Sequence, residues 1–209
     1  MPCLNDPALR SDLKAIGRAV LLLFALGLGV AVLVGIFIWE LSLTKRFTEY
    51  GPIELFQSAV LGLSSALFFL EAKRQPDMRG ALVLVGGFIG CMFIREQDYF
   101  LDAIRHGCWV FPALALALGC IAFAARRLRE TIHGLARFVR WKYFPFLLIG
   151  LVIALAYSRL FGMRVLWEML LGEHFLYIAK SAMEESSELL GYLFILVSGV
   201  LANTDRHLN

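Results

Sequence analysis

Long uncharged runs separated by short charged clusters set the pattern of this chain. No charged side chain occurs from Ala19 to Trp39, and mainly apolar stretches recur at 53–72, 78–100, 106–125, 143–160 and 174–203. Each approaches the roughly 20 residues that carry a helix across a hydrocarbon layer about 30 Å thick. The pattern predicts an all-α integral membrane protein, a bundle of six transmembrane helices starting with 19–41. The first run is too long for the apolar part of a cleavable signal peptide, so it counts as a permanent helix. Pro52, following Tyr50-Gly51, suits the first position of the second helix.

Two shorter segments carry a different pattern. Leu128, Ile132, Leu135 and Val139 recur at helical spacing within 126–142, and basic residues fill much of the remainder. That arrangement predicts an amphipathic helix lying against anionic lipid, the alternative being a plain basic loop. The segment 163–172, with Trp167, reads as a second interfacial piece on the opposite side.

Composition agrees with this picture and narrows the partners. Hydrophobic residues make up 59% of the 209, charged residues 18%, and mean hydropathy is +0.72, which excludes an ordinary soluble domain. A net charge of +3, with no basic patch interleaved with aromatics, excludes nucleic acid. The expected partners are membrane lipids, other envelope or membrane proteins, or further copies of this chain. The four cysteines show neither a CxxC pair nor metal-type Cys/His spacing.

Charge also orients the bundle. With 1–18 and 204–209 in the cytoplasm, 13 of the 20 Lys and Arg residues fall inside and 11 of the 17 Asp and Glu residues outside. The positive-inside rule therefore places both termini in the cytoplasm, and a bacterial inner membrane is the expected location. In a background without native cysteines, Glu49→Cys and Trp167→Cys should react with an impermeant thiol reagent added outside, and Arg129→Cys should not. The inverse labelling would overturn the orientation.

The chemistry of interest lies at the outer ends of three helices. Uncharged spans run only from Leu55 to Leu70, Gly80 to Ile94 and Leu189 to Thr204. Each is about 24 Å at 1.5 Å per residue, so charged residues must enter the membrane boundary. Lys and Arg can snorkel to headgroups, but short carboxylates cannot, and must face protein. Glu54, Glu96, Glu184, Glu185 and Glu188 are thus expected at one depth. Around them, Gln57, Ser58 and Ser65 extend a polar stripe from Glu54, Arg95 shares a face with Asp98 and Asp102, and Lys180 precedes Glu184 by one turn. Gly86, Gly87 and Gly90 would admit a close helix neighbour.

Seven acids against Arg95, Arg105 and Lys180 leave an excess of negative charge that invites a cation. The expected ligands of a divalent ion are Glu54, Glu96, Asp98, Glu184, Glu185 and Glu188, with Asp102, His106 and His174 as further donors. Oxygen donors suit Mg²⁺, Ca²⁺ or Mn²⁺, and a histidine would widen the choice to Zn²⁺ or Fe²⁺. A structural ion-pair network and a proton relay are the competing readings.

An acidic, histidine-bearing site at a membrane surface resembles the intramembrane metal hydrolases of the alkaline ceramidase and adiponectin-receptor superfamily. Those are seven-helix proteins with several zinc-ligating histidines, whereas six helices are predicted here and the last holds no histidine pair. The resemblance is one of architecture, and no residue role is carried over from it.

Three functions fit these residues. One is metal-dependent hydrolysis of a lipid or lipid-linked substrate, with Glu188 or Asp98 as the catalytic base. Another is ion-coupled transport, in which intramembrane acids recur. The third is a non-catalytic subunit or sensor that docks through its acids.

Overall fold

A computed structural model describes residues 7–44, 51–103, 105–172 and 176–204. Nearly all of these are helical, and no strand occurs among them. In chain order the helices are α1 Pro7–Thr44, α2 Pro52–Arg74, α3 Arg79–Glu96, α4 Asp98–Asp102, α5 Val110–Ala125 and α6 Leu128–Val139. They continue as α7 Phe144–Val152, α8 Ser158–Gly162, α9 Arg164–Leu171 and α10 Tyr177–Thr204, with a π-helical turn, Ile153–Tyr157, joining α7 to α8.

Five stretches are long and apolar enough to cross a membrane: Ala19–Glu40, Pro52–Arg74, Pro76–Glu96, Phe144–Gly162 and Tyr177–Thr204. The expected fourth span differs. α5 has 16 residues and turns by 103° into α6, so a sixth crossing exists only if that bent pair is one span. Gly107 causes the late start: its φ of +77° is left-handed, which interrupts the helix expected from 106. Pro112 then sits in the first turn of α5, where a missing N–H costs nothing.

The expected third helix, 78–100, also divides. α3 ends at Glu96, and Gln97, with φ −93° and ψ 13°, breaks the helix before α4. Asp98 and Asp102 therefore do not continue the helical face of Arg95. The first helix begins at Pro7, about three turns before the expected start at 19, so it continues through residues read as a polar flank, while the last ends at Thr204, one residue past expectation.

α2 and α3 run antiparallel through the turn Pro76–Met78, and α10 packs on α2, α7 and α8. Leu61, Phe68, Leu82, Ile89, Leu147 and Ile195 fill the centre. Around them, Leu55, Leu63, Phe88, Phe111, Leu114 and Leu148 point outward and exposed. A belt of exposed large apolar side chains is what a hydrocarbon solvent permits and water penalises.

Polar groups inside the bundle fasten helices together. Ser65 donates to the Gly86 carbonyl at 2.8 Å, Ser198 to that of Tyr143 at 2.9 Å, and Asn203 to that of Leu67 at 3.2 Å. Because these groups spend their protons on backbone carbonyls, they are packing bonds and do not form a relay. Small residues act similarly: a Cβ on Gly87 would lie 2.5 Å from Cys120 Sγ, and one on Gly90 2.8 Å from Leu116 Cδ2. Both glycines face α5, as the sequence led us to expect, and Gly86 faces α2 through Phe69.

Candidate functional site

The start of α10 brings Lys180, Glu184, Glu185 and Glu188 to one end of the bundle, beside the end of α3 and the whole of α8. Glu188 is buried, 4% exposed. Its carboxylate accepts from Arg159 Nη2, lies 3.5 Å from Ser158 Oγ, and is 4.0 Å from Arg95 Nη2. Arg95 also donates to Glu96 at 2.7 Å, and Glu96 accepts from the Tyr192 hydroxyl at 2.9 Å. Glu184 accepts from Lys180 at 2.8 Å and from Arg159 at 3.4 Å.

These contacts close a charge balance. Glu96, Glu184 and Glu188 meet Arg95, Arg159 and Lys180, three anions with three cations. Buried charges persist when they are paired and hydrogen-bonded, and here each carboxylate is both. Gly162 makes room for the pairing, since a Cβ there would fall 2.4 Å from Glu184 Oε1.

Arg159 is the partner that sequence reasoning missed. A lone arginine at the end of an apolar helix reads as a snorkelling anchor. The π-helical turn just before α8 inserts an extra residue and alters the phase of Ser158 and Arg159 relative to α7. Only that change, which the apolar sequence Ile-Ala-Leu-Ala-Tyr does not announce, aims both at Glu188.

The remaining acids border a separate cleft of about 700 Å³ at the same end. Glu40, Glu54, Asp98, Asp102 and Glu185 line it together with Tyr99, Tyr177 and Ser181. Glu185 accepts from Gln57 Nε2 at 2.9 Å, and Gln57 itself is fully buried. Asp102 accepts from the Gly107 N–H at 2.8 Å, and His106 Nδ1 lies 2.9 Å from its other carboxylate oxygen.

Glu40 is the second residue outside the expected constellation. It reaches from α1 to the start of α2, is 1% exposed, and accepts from the Ile53 N–H at 3.1 Å. A carboxylate there satisfies an orphan helix donor and meets the positive end of the helix dipole. Gly51 admits it, because a Cβ at 51 would overlap the Glu40 carboxylate at 2.0 Å. In the sequence, Glu40 looks like the mere end of an apolar run.

The expected single site thus divides into two adjoining parts, with Glu54 and Glu96 still sharing one small pocket between them. Glu54, Asp98 and Glu185, with Asp102, share the cleft, whereas Glu96, Glu184 and Glu188 belong to the ion-pair network. Among the described residues, no three Asp, Glu, His or Cys side chains are set to hold one metal ion. His106 is exposed and paired to Asp102, and His174 lies outside the described residues. Of the two expected bases, Asp98 is exposed at the cleft and Glu188 is engaged by guanidinium groups.

Comparison with family models, with curated proteins and with solved structures found no match.

Proposed function

We propose that this chain is a multi-pass membrane protein that binds a cation in the cleft at its acidic end. The observation that carries this reading is the cleft wall: five of its ten lining residues are carboxylates. Walls of one sign focus the field and raise the local concentration of the opposite charge. Tyr99 and Tyr177 add aromatic faces suited to a cation. The balanced network of Glu96, Glu184 and Glu188 is the rigid support behind this wall, with its own charges already compensated. The positive-inside count turns the cleft away from the cytoplasm of a bacterial cell.

The ligand we favour is a divalent ion, Mg²⁺, Ca²⁺, Mn²⁺ or Zn²⁺, held with much of its water shell, because the acids line a wide cleft and form no tight cage. A transport or sensing role follows more directly from this geometry than hydrolysis. Should the protein be a hydrolase, Asp98 is the better-placed base.

Titrating each ion separately into detergent-purified protein should raise the thermal midpoint saturably. A ligand at 100 times its Kd stabilises by about 2.7 kcal/mol. Glu54→Gln with Asp98→Asn should weaken that response about tenfold. A parent midpoint indifferent to every ion would overturn the cation reading. Ion flux in liposomes and a lipid hydrolysis screen then separate transport from catalysis.

A further inference from the structure

The opposite end of the bundle holds a second cleft, of about 660 Å³, between the turn Pro76–Met78, the start of α3, the end of α5 and α6. Arg79, Arg126, Arg127 and Arg137 line it, against Asp77 and Glu130. Arg137 pairs with Asp77 at 2.7 Å and Arg127 with Glu130 at 3.3 Å. Arg79, whose Nε donates to the Ala72 carbonyl at 3.2 Å, and Arg126 therefore bring positive charge to the cleft beyond those two pairs.

The floor of this cleft is built and close-packed. Thr131 is buried and donates to the Ala124 carbonyl at 2.9 Å, tying α6 to α5 across their bend. Gly80 allows this, since a Cβ there would meet Thr131 Oγ1 at 2.2 Å. Gly134 likewise seats α6 on the turn, its would-be Cβ 3.1 Å from the Asp77 carbonyl oxygen.

Apolar surface continues from the same cleft. Phe123 lines it and is 43% exposed, and α5 beyond it is uncharged and apolar, with only Ala113, Cys120 and Ala124 buried. A cationic pocket opening onto an apolar helix face matches an anionic headgroup joined to acyl chains. A free phosphate would use only the pocket.

We infer that this cleft binds the phosphate headgroup of an anionic glycerophospholipid, whose chains lie along α5. The 103° bend between α5 and α6 makes the site, because it sets Arg126 and Arg127 at the corner and Arg137 on the transverse α6 across the end of an apolar helix. The same contact would hold α6 at the membrane surface.

The test uses full-length protein in non-ionic detergent at physiological salt, with the thermal midpoint as readout. Dioleoyl phosphatidylglycerol should raise the midpoint saturably, while phosphatidylcholine and glycerol phosphate at matched concentration should not. Arg126 belongs to neither ion pair, so Arg126→Gln should fold, and should weaken the phosphatidylglycerol response about fivefold. Arg129→Gln removes the same charge three residues further on, outside the cleft, and should leave the response intact. Phe123→Asp keeps every arginine and should also weaken it. Equal losses for Arg126→Gln and Arg129→Gln would mean diffuse surface attraction and overturn the site. A full response to glycerol phosphate would overturn the lipid assignment.

Discussion

Gly191→Leu is expected to be the most damaging single substitution in this protein. α7 and α10 touch backbone to backbone at Gly150 and Gly191. A Cβ on Gly191 would lie 2.7 Å from the Gly150 carbonyl oxygen and 2.8 Å from the Ala154 N, and one on Gly150 2.6 Å from the Gly191 carbonyl oxygen. Flexible side chains can yield to an added methyl group, but these atoms are backbone and can yield only if a helix moves. Overpacking ordinarily costs about 1–3 kcal/mol, and a helix displacement should exceed about 3 kcal/mol. It would also separate α10 from α8, and with it Glu188 from Arg159. Detergent-purified Gly191→Leu should therefore lose most of its folded fraction. Gly119→Leu, where an added Cβ meets nothing within 4 Å, should behave as the parent does. Equal stability of the two variants would refute the close contact.

Glu188→Gln should have the second largest effect, whether or not any cation is added. The substitution keeps shape and removes the charge that Arg159 and Arg95 address. Breaking a buried pair from one side costs about 3–5 kcal/mol, but the Arg159 side chain is 47% exposed and can be rehydrated. A loss of about 2 kcal/mol is the reasonable expectation. Arg159→Gln should lose a similar amount, and the double variant should fall well short of the sum, with a coupling of about 1–2 kcal/mol. Additive losses would show that the two side chains do not form the pair. This behaviour separates the network from the cleft: Glu188→Gln lowers stability in the absence of ions, whereas Glu54→Gln with Asp98→Asn alters the response to ions.

The sequence by itself determined the helical class, the approximate position of five long apolar helices, and a surplus of acids at one end and of bases at the other. It could do so because hydrocarbon thickness and the cost of unpaired charge act on stretches of chain about 20 residues long, whatever lies beside them. Depth is a one-dimensional property, so Glu54, Glu96 and Glu184 through Glu188 were placed at a common end from spacing alone. The helix-facing role of Gly87 and Gly90 was legible for a similar reason, since small residues clustered on one helix signal close approach wherever the partner comes from.

Lateral arrangement was decided only in three dimensions. Depth does not say which acid faces which base, and that choice divided one expected site into a paired network and an open cleft. Arg159 reaches Glu188 because a π-helical turn rephases the end of the span Phe144–Gly162, and Glu40 reaches α2 because Gly51 leaves space for it. The bend after Ala125, which denies α5 an independent crossing and shapes the basic cleft, depends on Thr131 and Gly134 seating α6 against Gly80 and the Asp77 turn. Each of these is a contact between segments distant in the chain, where a single missing Cβ or inserted residue redirects a charged side chain by several ångströms.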